Sequence, residues 1–308
     1  MSRRLDGFQK LALATTGVTY LLILVGGLVR ASGAGMGCPD WPRCFGLWVP
    51  PTRADELPSG FDPAQFNAAL TWTEYLNRLL GVTTGFLIFA TLVAALVKHR
   101  SNPGVLWPVV AAFLGVGYQG WLGGRVVAHQ LAPWVVTAHL VVALVIVSLL
   151  LYATTNAFFP ARQDRAPAGR GDTLLGRLAP ALIALTLAQI ALGTQVRGAI
   201  DRRAGVLPRG SLVAAVGLAD VAHRSLALVV FAASLWLFLR VRRRHRSFRP
   251  LAAAAAAVVV LSGLQIAAGA VLAYLSLPRP VQVAHLSIAS LLLGAQTLVA
   301  LLAPKSAA

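Results

Sequence analysis

Long apolar segments alternate with short polar ones from one end of the chain to the other. A helix needs roughly 20 apolar residues to cross a bilayer, and eight segments come close to that length or reach it. The pattern therefore predicts an all-α membrane protein with eight transmembrane helices. The predicted spans are 11–30, 75–97, 105–125, 134–155, 178–197, 218–239, 251–273 and 283–303. The first span lacks the small-residue cleavage site of a signal peptide, so we expect it to be retained.

A set of polar and glycine positions occurs twice along this apolar pattern. Each member of the second set follows its counterpart by 146 residues. The first set is Glu74, Asn77, Arg78, Gln119, Gly123 and His139, and the second is Asp220, His223, Arg224, Gln265, Gly269 and His285. Each copy holds four spans, and an even number of spans preserves orientation. We therefore predict two parallel pseudo-symmetric four-helix bundles rather than an inverted repeat.

The repeat also divides the chain into two halves. The predicted divisions are the N-terminal half 1–155, the cytoplasmic linker 156–177 and the C-terminal half 178–308. The motif at 26–30 returns at 193–197, an offset of 167 residues, so 21 extra residues must lie in the first outside loop, 31–73. A loop of that length is typically functional. Within it, 63–72 is interpreted as a short interfacial helix.

Composition and charge agree with a membrane protein and argue against one that binds nucleic acid. The chain is 57% hydrophobic and only 12% charged, whereas a soluble protein is roughly one quarter charged. Its net charge of +17 is concentrated in alternate loops, most densely in 240–249. Such a bias marks the cytoplasmic side, so we expect a multi-pass protein of the bacterial cytoplasmic membrane with both termini cytoplasmic. The basic run is interpreted as an anchor on anionic membrane lipid.

Three histidines, His139, His223 and His285, lie inside spans near their outer ends. Ionisable residues are costly there and usually functional. Neutral imidazole is a good ligand for haem iron, and His223 and His285 fall on the second and fourth helices of one half. Two facing helices can hold a haem between such a pair. The alternative is a set of packing histidines that form hydrogen bonds between helices.

Several arginines lie near the same outer ends of the spans. A guanidinium group binds a carboxylate through two parallel hydrogen bonds, which suits the propionates of a haem. The candidates for this role are Arg30, Arg78, Arg125, Arg197 and Arg224. Alternatively, these side chains extend to the interface for solvation alone, and Arg125, which has no counterpart in the second half, is a plain loop charge.

A carboxylate precedes each ligand position by almost one helical turn. Glu74 lies three residues before Asn77, and Asp220 three before His223, so each pair shares a helix face. Such a carboxylate can orient a ligand, transfer a proton or stabilise positive charge. The competing interpretation is a charge that the helix dipole favours at a helix N-terminus.

Both cysteines of the chain, Cys38 and Cys44, lie in the first outside loop. The outer face of a bacterial cytoplasmic membrane is oxidising, which favours a disulfide between them. The alternative is a redox-sensitive pair.

Taken together, these residues resemble the haem A synthase family, which converts haem O to haem A for cytochrome oxidase. The resemblance covers nearly the whole chain. Its most distinctive part is Gly-Gly-Leu-Val-Arg (26–30) followed by Cys-Pro-Asp-Trp-Pro-Arg-Cys (38–44). The remaining matches are Glu74, Arg78, Val-Thr-Ala-His-Leu (136–140), Ala-His-Arg (222–224) and Val-Ala-His-Leu (283–286).

The resemblance implies haem b bound by His223 and His285, and a first-half site where a ring methyl of haem O is oxidised to a formyl group. It also implies that Glu74 is the catalytic glutamate. A haem O synthase and an electron-transfer partner are the expected protein partners, and the pattern leaves a homo-oligomer open. A transporter is disfavoured because the charges cluster at one face and no span has a Pro/Gly break in both halves.

Asn77 departs from the family pattern, which commonly has histidine there, paired with the equivalent of His139. Asparagine is not a normal haem ligand, so His139 would be the one strong protein ligand in the first half. Two hypotheses remain. In the first, His139, Asn77 and Glu74 form an active site with an open coordination position. In the second, the first half has degenerated, and the chain is a non-catalytic b-type haem protein, either an electron carrier or a haem-handling assembly factor.

Overall fold

A computed structural model describes residues 5–159 and 172–304 of the chain. This part is helical, and eight of its helices are long and apolar enough to cross a membrane. They are α1 (Gly7–Ser32), α2 (Ala68–Lys98), α3 (Pro103–Ala128), α4 (Pro133–Phe158), α5 (Thr173–Arg203), α6 (Leu218–Arg244), α7 (Arg249–Tyr274) and α8 (Arg279–Leu302). The prediction of an all-α protein with eight membrane-spanning helices is confirmed.

The ends of α1 show why the helices begin and end where they do. The side chain of Asp6 accepts a hydrogen bond from the N–H of Gln9 at 2.8 Å, and the Gln9 side chain accepts one from the N–H of Asp6 at 3.1 Å. This reciprocal cap satisfies N–H groups that the first turn leaves free. At the other end, Gly33 adopts φ 84° and its N–H bonds to the carbonyl of Val29. Glycine tolerates that left-handed conformation, so the helix terminates there.

The helices are longer than the apolar pattern predicted, and one prediction was wrong. The segment 63–72 is not a separate interfacial helix. Only Pro63–Gln65 forms a 3-10 turn, and the chain from Ala68 onward is already part of α2. Asn67 caps α2 by accepting a hydrogen bond from the N–H of Leu70 at 3.1 Å, so the helix starts before its apolar stretch.

Both ends of the predicted linker 156–177 are helical. Helix α4 continues to Phe158, and α5 begins at Thr173. The rest of the linker, 160–171, lies outside the described residues. Asp172 caps α5 through the N–H of Leu175 at 3.0 Å, which fixes where the second half starts.

The helices pack as two groups of four. In the first group α1 and α3 each contact α2 and α4, and in the second α5 and α7 each contact α6 and α8. The groups meet where α8 contacts α1 and α4, and where α4 contacts α5. These contacts are compatible with two four-helix bundles, while the parallel pseudo-symmetry between them stays a prediction.

Small residues allow the two groups to approach closely. A Cβ on Gly294 of α8 would overlap the hydroxyl of Tyr20 on α1, and a Cβ on Gly198 of α5 would overlap the ring of Pro133 on α4. Helix association in membranes relies on such close contacts because lipid supplies no hydrophobic driving force between helices. The outer surfaces of the spans remain apolar, with side chains such as Phe86 70% exposed, as expected for a surface that faces lipid.

Candidate functional site

The second half brings two of the predicted ligands together. His223 lies on α6 and His285 on α8, and these two helices both pack against α5 and α7. Each ring rests against a glycine of the preceding helix. A Cβ on Gly193 would lie 3.1 Å from Cε1 of His223, and one on Gly269 would lie 3.4 Å from Cε1 of His285. The absence of side chains there allows both imidazoles to lie directly against helix backbone.

The first half holds one histidine in the same kind of setting. A Cβ on Gly123 of α3 would lie 3.6 Å from Cε1 of His139 on α4. In α2, the position that corresponds to His223 carries Asn77, whose Oδ1 is buried and has no hydrogen-bond partner among the described residues. The two halves therefore differ in the ligands they offer, two histidines in one and His139 with Asn77 in the other.

A glutamine accompanies two of these histidines on the neighbouring helix. The Nε2 of Gln119 donates a 2.8 Å hydrogen bond to the main-chain carbonyl of His139, and Gln189 donates an equal one to the carbonyl of His223. Sequence analysis recognised Gln119 in the repeat but missed Gln189. The signal that could have found it is the glutamine-to-glycine spacing of four, which links Gln189 to Gly193 just as it links Gln119 to Gly123.

Glu74 is buried near the outer end of α2, with 5% of its surface exposed. Its Oε2 accepts a 2.8 Å hydrogen bond from the main-chain N–H of Cys38. Its Oε1 accepts hydrogen bonds from Arg78, at 2.5 Å from Nη2 and 3.2 Å from Nε. Both oxygens of this carboxylate are therefore held in place, one by the outside loop and one by the next turn of α2.

Arg78 binds the outside loop as well as Glu74. It donates hydrogen bonds to the main-chain carbonyls of Asp40 at 2.8 Å, Arg43 at 2.9 Å and Cys38 at 3.3 Å. A planar guanidinium has enough donors to make all of these bonds at once. The donors of Arg78 thus bind Glu74 and the loop, and its predicted role in binding a propionate stays a prediction.

The outside loop is closed by a disulfide between Cys38 and Cys44, which confirms the predicted bond. Two contacts place this loop over the first half. A Cβ on Gly37 would overlap the carbonyl oxygen of Leu70 in α2. A Cβ on Gly124 of α3 would lie 3.0 Å from the ring of Trp41. The loop thus spans α2 and α3 directly beside the glycine that contacts His139.

Two of the predicted arginines meet at one carboxylate that sequence analysis missed. Arg30 at the end of α1 and Arg197 in α5 both bind Asp201, and Arg197 also binds the side chain of Gln282 on α8. The signal for Asp201 is its spacing of four from Arg197, which suits an ion pair on a helix. The arrangement joins the outer ends of the two halves.

The remaining two arginines also have protein partners. Arg224 pairs with Asp220 at 2.7 Å on α6, and Nη2 of Arg125 lies 2.7 Å from Nε2 of His129. The assignment of the helix ends near these five arginines to the outside stays a prediction. Their role as propionate contacts stays a prediction.

A hydrogen bond links the halves between the candidate ligand positions. The hydroxyls of Thr137 on α4 and Thr194 on α5 are 2.5 Å apart, and Nε2 of Gln195 donates to the Thr137 hydroxyl at 3.2 Å. Thr137 is two residues from His139, and Thr194 follows the glycine against which His223 rests. The two candidate sites are therefore mechanically connected.

Comparison with known proteins identifies the group to which this architecture belongs. The sequence profile of the COX15-CtaA family, described as cytochrome oxidase assembly protein, matches residues 9–297. The chain belongs to the COX15-CtaA family. Because the match runs from α1 to α8, membership of COX15-CtaA covers both halves and every candidate residue described above.

Relatives of the chain carry the name "Heme A synthase". The protein of Shewanella oneidensis is 35% identical over 57% of this chain and 52% of its own length. That of Rhizorhabdus wittichii is 27% identical over 90% of this chain and 88% of its own length. That of Geobacillus kaustophilus is 28% identical over 59% of this chain and 52% of its own length. The chain thus spans about half the length of the first and third relatives, and most of the second.

Proposed function

We propose that the chain oxidises a ring methyl of haem O to a formyl group and so makes haem A for cytochrome oxidase. Membership of the COX15-CtaA family and the name of its relatives support this activity. The observation that carries it is the unequal make-up of the two sites. The second half offers two neighbouring histidines, whereas the first offers His139 together with the buried carboxylate of Glu74. A cofactor site with two histidines beside a substrate site with one histidine and a carboxylate suits this chemistry.

The residues of the second half fit a haem. The Nδ1 atoms of His223 and His285 are buried and without hydrogen-bond partners among the described residues, and both rings lie against glycines. Two neutral imidazoles are a common ligand set for haem iron in electron-transfer proteins. His223 and His285 would hold haem b, with Arg197 and Arg224 nearby for its propionates. Bound haem supplies one-electron chemistry that side chains lack.

In the first half, haem O is the substrate. His139 would bind its iron from one side, and the carboxamide of Asn77 would leave the other side without a strong ligand. Glu74 lies one turn from Asn77 on the same face of α2. Arg78 and the N–H of Cys38 hold its carboxylate in a fixed orientation, so that it can accept a proton released from the methyl carbon.

The outside loop would restrict water at this site. Trp41 packs on α3 and Gly37 packs on α2, so the segment closed by the disulfide covers the outer end of the first half. Water exclusion strengthens electrostatic interactions and limits side reactions of an activated ring. The loop is thus a cover as well as the clamp on Glu74.

The reaction also requires partners. Conversion of the methyl to a formyl group adds an oxygen atom and removes electrons and protons. Water can supply the oxygen if an electron acceptor receives the electrons, or dioxygen can supply the oxygen and receive the electrons itself. A haem O synthase must supply the substrate. The outer ends of the helices, which carry the sites, lie opposite the basic segment 240–249. We place that segment and both termini in the cytoplasm of a bacterium, against the anionic lipid of its cytoplasmic membrane.

A second candidate function rests on Asn77. Its carboxamide cannot replace an imidazole as an iron ligand, and its Oδ1 remains without a partner among the described residues. A first half that no longer processes haem O would leave a non-catalytic b-type haem protein, which carries electrons or assists assembly.

Haem extraction from cells that make haem O and express the chain separates the two functions. Synthase activity predicts haem A or its hydroxylated precursor by chromatography, and their loss in Glu74→Gln. The matched control is Glu56→Gln, since Glu56 is an exposed glutamate of the same loop bound to Thr52. Haem b alone, from well-folded protein, would refute the synthase and favour the second function.

A further inference from the structure

The structure contains the same three-residue unit in three places. Each unit consists of a glutamine, a glycine four residues later on that helix, and a histidine of the next helix whose ring faces the glycine. The units are Gln119, Gly123 and His139; Gln189, Gly193 and His223; and Gln265, Gly269 and His285. The sequence repeat relates the first unit to the third, but the second lies on a different helix pair. The sequence repeat therefore does not account for the second unit, and the geometry that all three units share needs a common explanation.

Each unit contains one buried hydrogen-bond donor and one buried acceptor that lack partners in the part of the chain that the structure describes. The Nδ1 of each histidine and the Oε1 of each glutamine are buried and lack hydrogen-bond partners among the described residues. A ring N–H is a donor and an amide oxygen an acceptor. Buried polar atoms without partners are rare and usually mark a ligand or a functional constraint.

The backbone of the glutamines also approaches the rings. Main-chain groups of Gln189 and Gln265 lie within polar reach of His223 and His285 respectively. In a helix, the carbonyl of residue i lies beside residue i+4, so a glycine at i+4 exposes the carbonyl of the glutamine to the imidazole. A histidine that binds a metal almost always donates its other ring N–H to such an acceptor.

The fourth equivalent place lacks the unit. The offset of 167 residues that relates α1 to α5 places Leu22 where α5 has Gln189, and Gly26 where it has Gly193. In α2, Asn77 replaces the histidine. Space remains at the glycine, because a Cβ on Gly26 would meet nothing within 4 Å. The glutamine and the histidine are therefore both replaced at this one place, while the glycine is kept.

We propose that Gln119, Gln189 and Gln265 are positioning residues that orient the imidazoles of His139, His223 and His285 so that each presents Nε2 to a haem iron. The glycine admits the ring to the main-chain carbonyl of the glutamine, which is the acceptor for Nδ1–H. The glutamine side chain holds the helix of the histidine, as the bonds of Gln119 and Gln189 to the carbonyls of His139 and His223 do. This inference rests on the proposed haem sites. It explains why Leu22 accompanies Asn77, since without an imidazole there is nothing to orient.

The test compares two leucine variants of the full-length protein purified with haem b. Gln189→Leu removes the side-chain hydrogen bond to the main-chain carbonyl of His223 and introduces the residue that occupies the fourth place. Gln296→Leu is the matched control, because Gln296 is buried on α8 and donates a 2.9 Å hydrogen bond to Thr186, a contact between helices outside the three units. The readouts are the low-spin ferric electron paramagnetic resonance spectrum and the rate of haem transfer to apomyoglobin.

We expect Gln189→Leu to shift the low-spin g-values and to speed haem loss about tenfold, which corresponds to one lost buried hydrogen bond. Gln296→Leu should leave the g-values unchanged. Wild-type values in Gln189→Leu, or equal shifts in both variants, would overturn the proposal.

If Gln189→Leu does not fold, the second test is Leu22→Gln in an Asn77→His background. It should at least double the low-spin signal of the first-half haem over Asn77→His alone, and no gain would overturn the proposal. A wild-type protein without low-spin haem would instead refute the haem site itself.

Discussion

The carboxylate of Glu74 accepts its 2.8 Å hydrogen bond from the main-chain N–H of Cys38, a residue 36 positions away that forms half of the disulfide. The residue best placed for proton transfer is thus also the residue on which the outside loop rests. Arg78 completes the contact by binding both Glu74 and the loop carbonyls. The position of the Glu74 carboxylate and the position of the loop therefore depend on each other.

Substitution of Arg78 tests this dependence. Arg78→Lys keeps the charge but loses the planar fork that reaches three carbonyls, so the loop should open more often. Amide hydrogen exchange across 38–47 should accelerate by about tenfold or more. The matched control is Arg53→Lys, because Arg53 pairs with Asp55 on the surface and its side chain is 70% exposed. Equal exchange in both variants would show that Arg78 does not hold the loop.

Gly37 should be the least replaceable position of the loop. A Cβ there overlaps main-chain atoms of Leu70, which cannot move away as a flexible side chain could. We expect Gly37→Ala to lower the free energy of unfolding by about 1–3 kcal/mol in detergent and to lower the melting temperature. In Gly81→Ala the new Cβ meets nothing within 4 Å, so this control should match the wild type. A Gly37→Ala protein that melts with the control would contradict the close packing.

Asn77→His should give the first-half site a second histidine ligand for haem iron. With His139 on the other side, a new imidazole would give the haem two strong ligands, and its spectrum should change from high-spin to low-spin. Asn77→Gln changes the side chain without adding a strong ligand and should leave the spectrum as it is. An unchanged spectrum in Asn77→His would mean that this position does not face the iron.

The cluster at Asp172 makes a prediction about pH. Burial acts to raise the pKa of Asp172, but hydrogen bonds from Arg240, the Leu175 N–H and His245 outweigh burial and hold that pKa well below its usual range. A carboxyl with a depressed folded pKa stabilises the fold above its unfolded pKa, near pH 4, and loses that contribution only as pH falls through the folded value. The cluster therefore acts at full strength at neutral pH.

Asp172→Asn should accordingly melt at a lower temperature than the wild type. The difference should not shrink between about pH 8 and pH 5, and should close only in stronger acid. Thermal unfolding of detergent-solubilised protein at several pH values measures the difference, and a gap that narrows above pH 5 would contradict the depressed pKa.

Periodicity and repetition were sufficient to predict most of the fold. Eight spans and the disulfide follow from apolar length and loop charge, whereas the outer location of the candidate residues stays a prediction. Helix ends were less predictable, because caps such as Asn67 and pairs such as Arg197 with Asp201 extend helices beyond their apolar stretch.

The sequence predicted which residues belong to the candidate site, but not which groups they contact. The sequence marks Arg78 as a cation near an outer interface, and cannot show that its donors are occupied by the loop. Gln189 was missed because its helix pair has no intact counterpart in the first half, where Leu22 and Asn77 replace the pattern. Contacts between helices carry this information, and they depend on the three-dimensional packing.

The central claim is that the second half holds haem b between His223 and His285. The most direct test is the optical and electron paramagnetic resonance spectrum of purified wild type beside His223→Ala, His285→Ala and His139→Ala. If His223 and His285 hold haem b, the wild type contains a low-spin haem that both second-half variants lose and His139→Ala retains. A low-spin spectrum that survives in either His223→Ala or His285→Ala would contradict it.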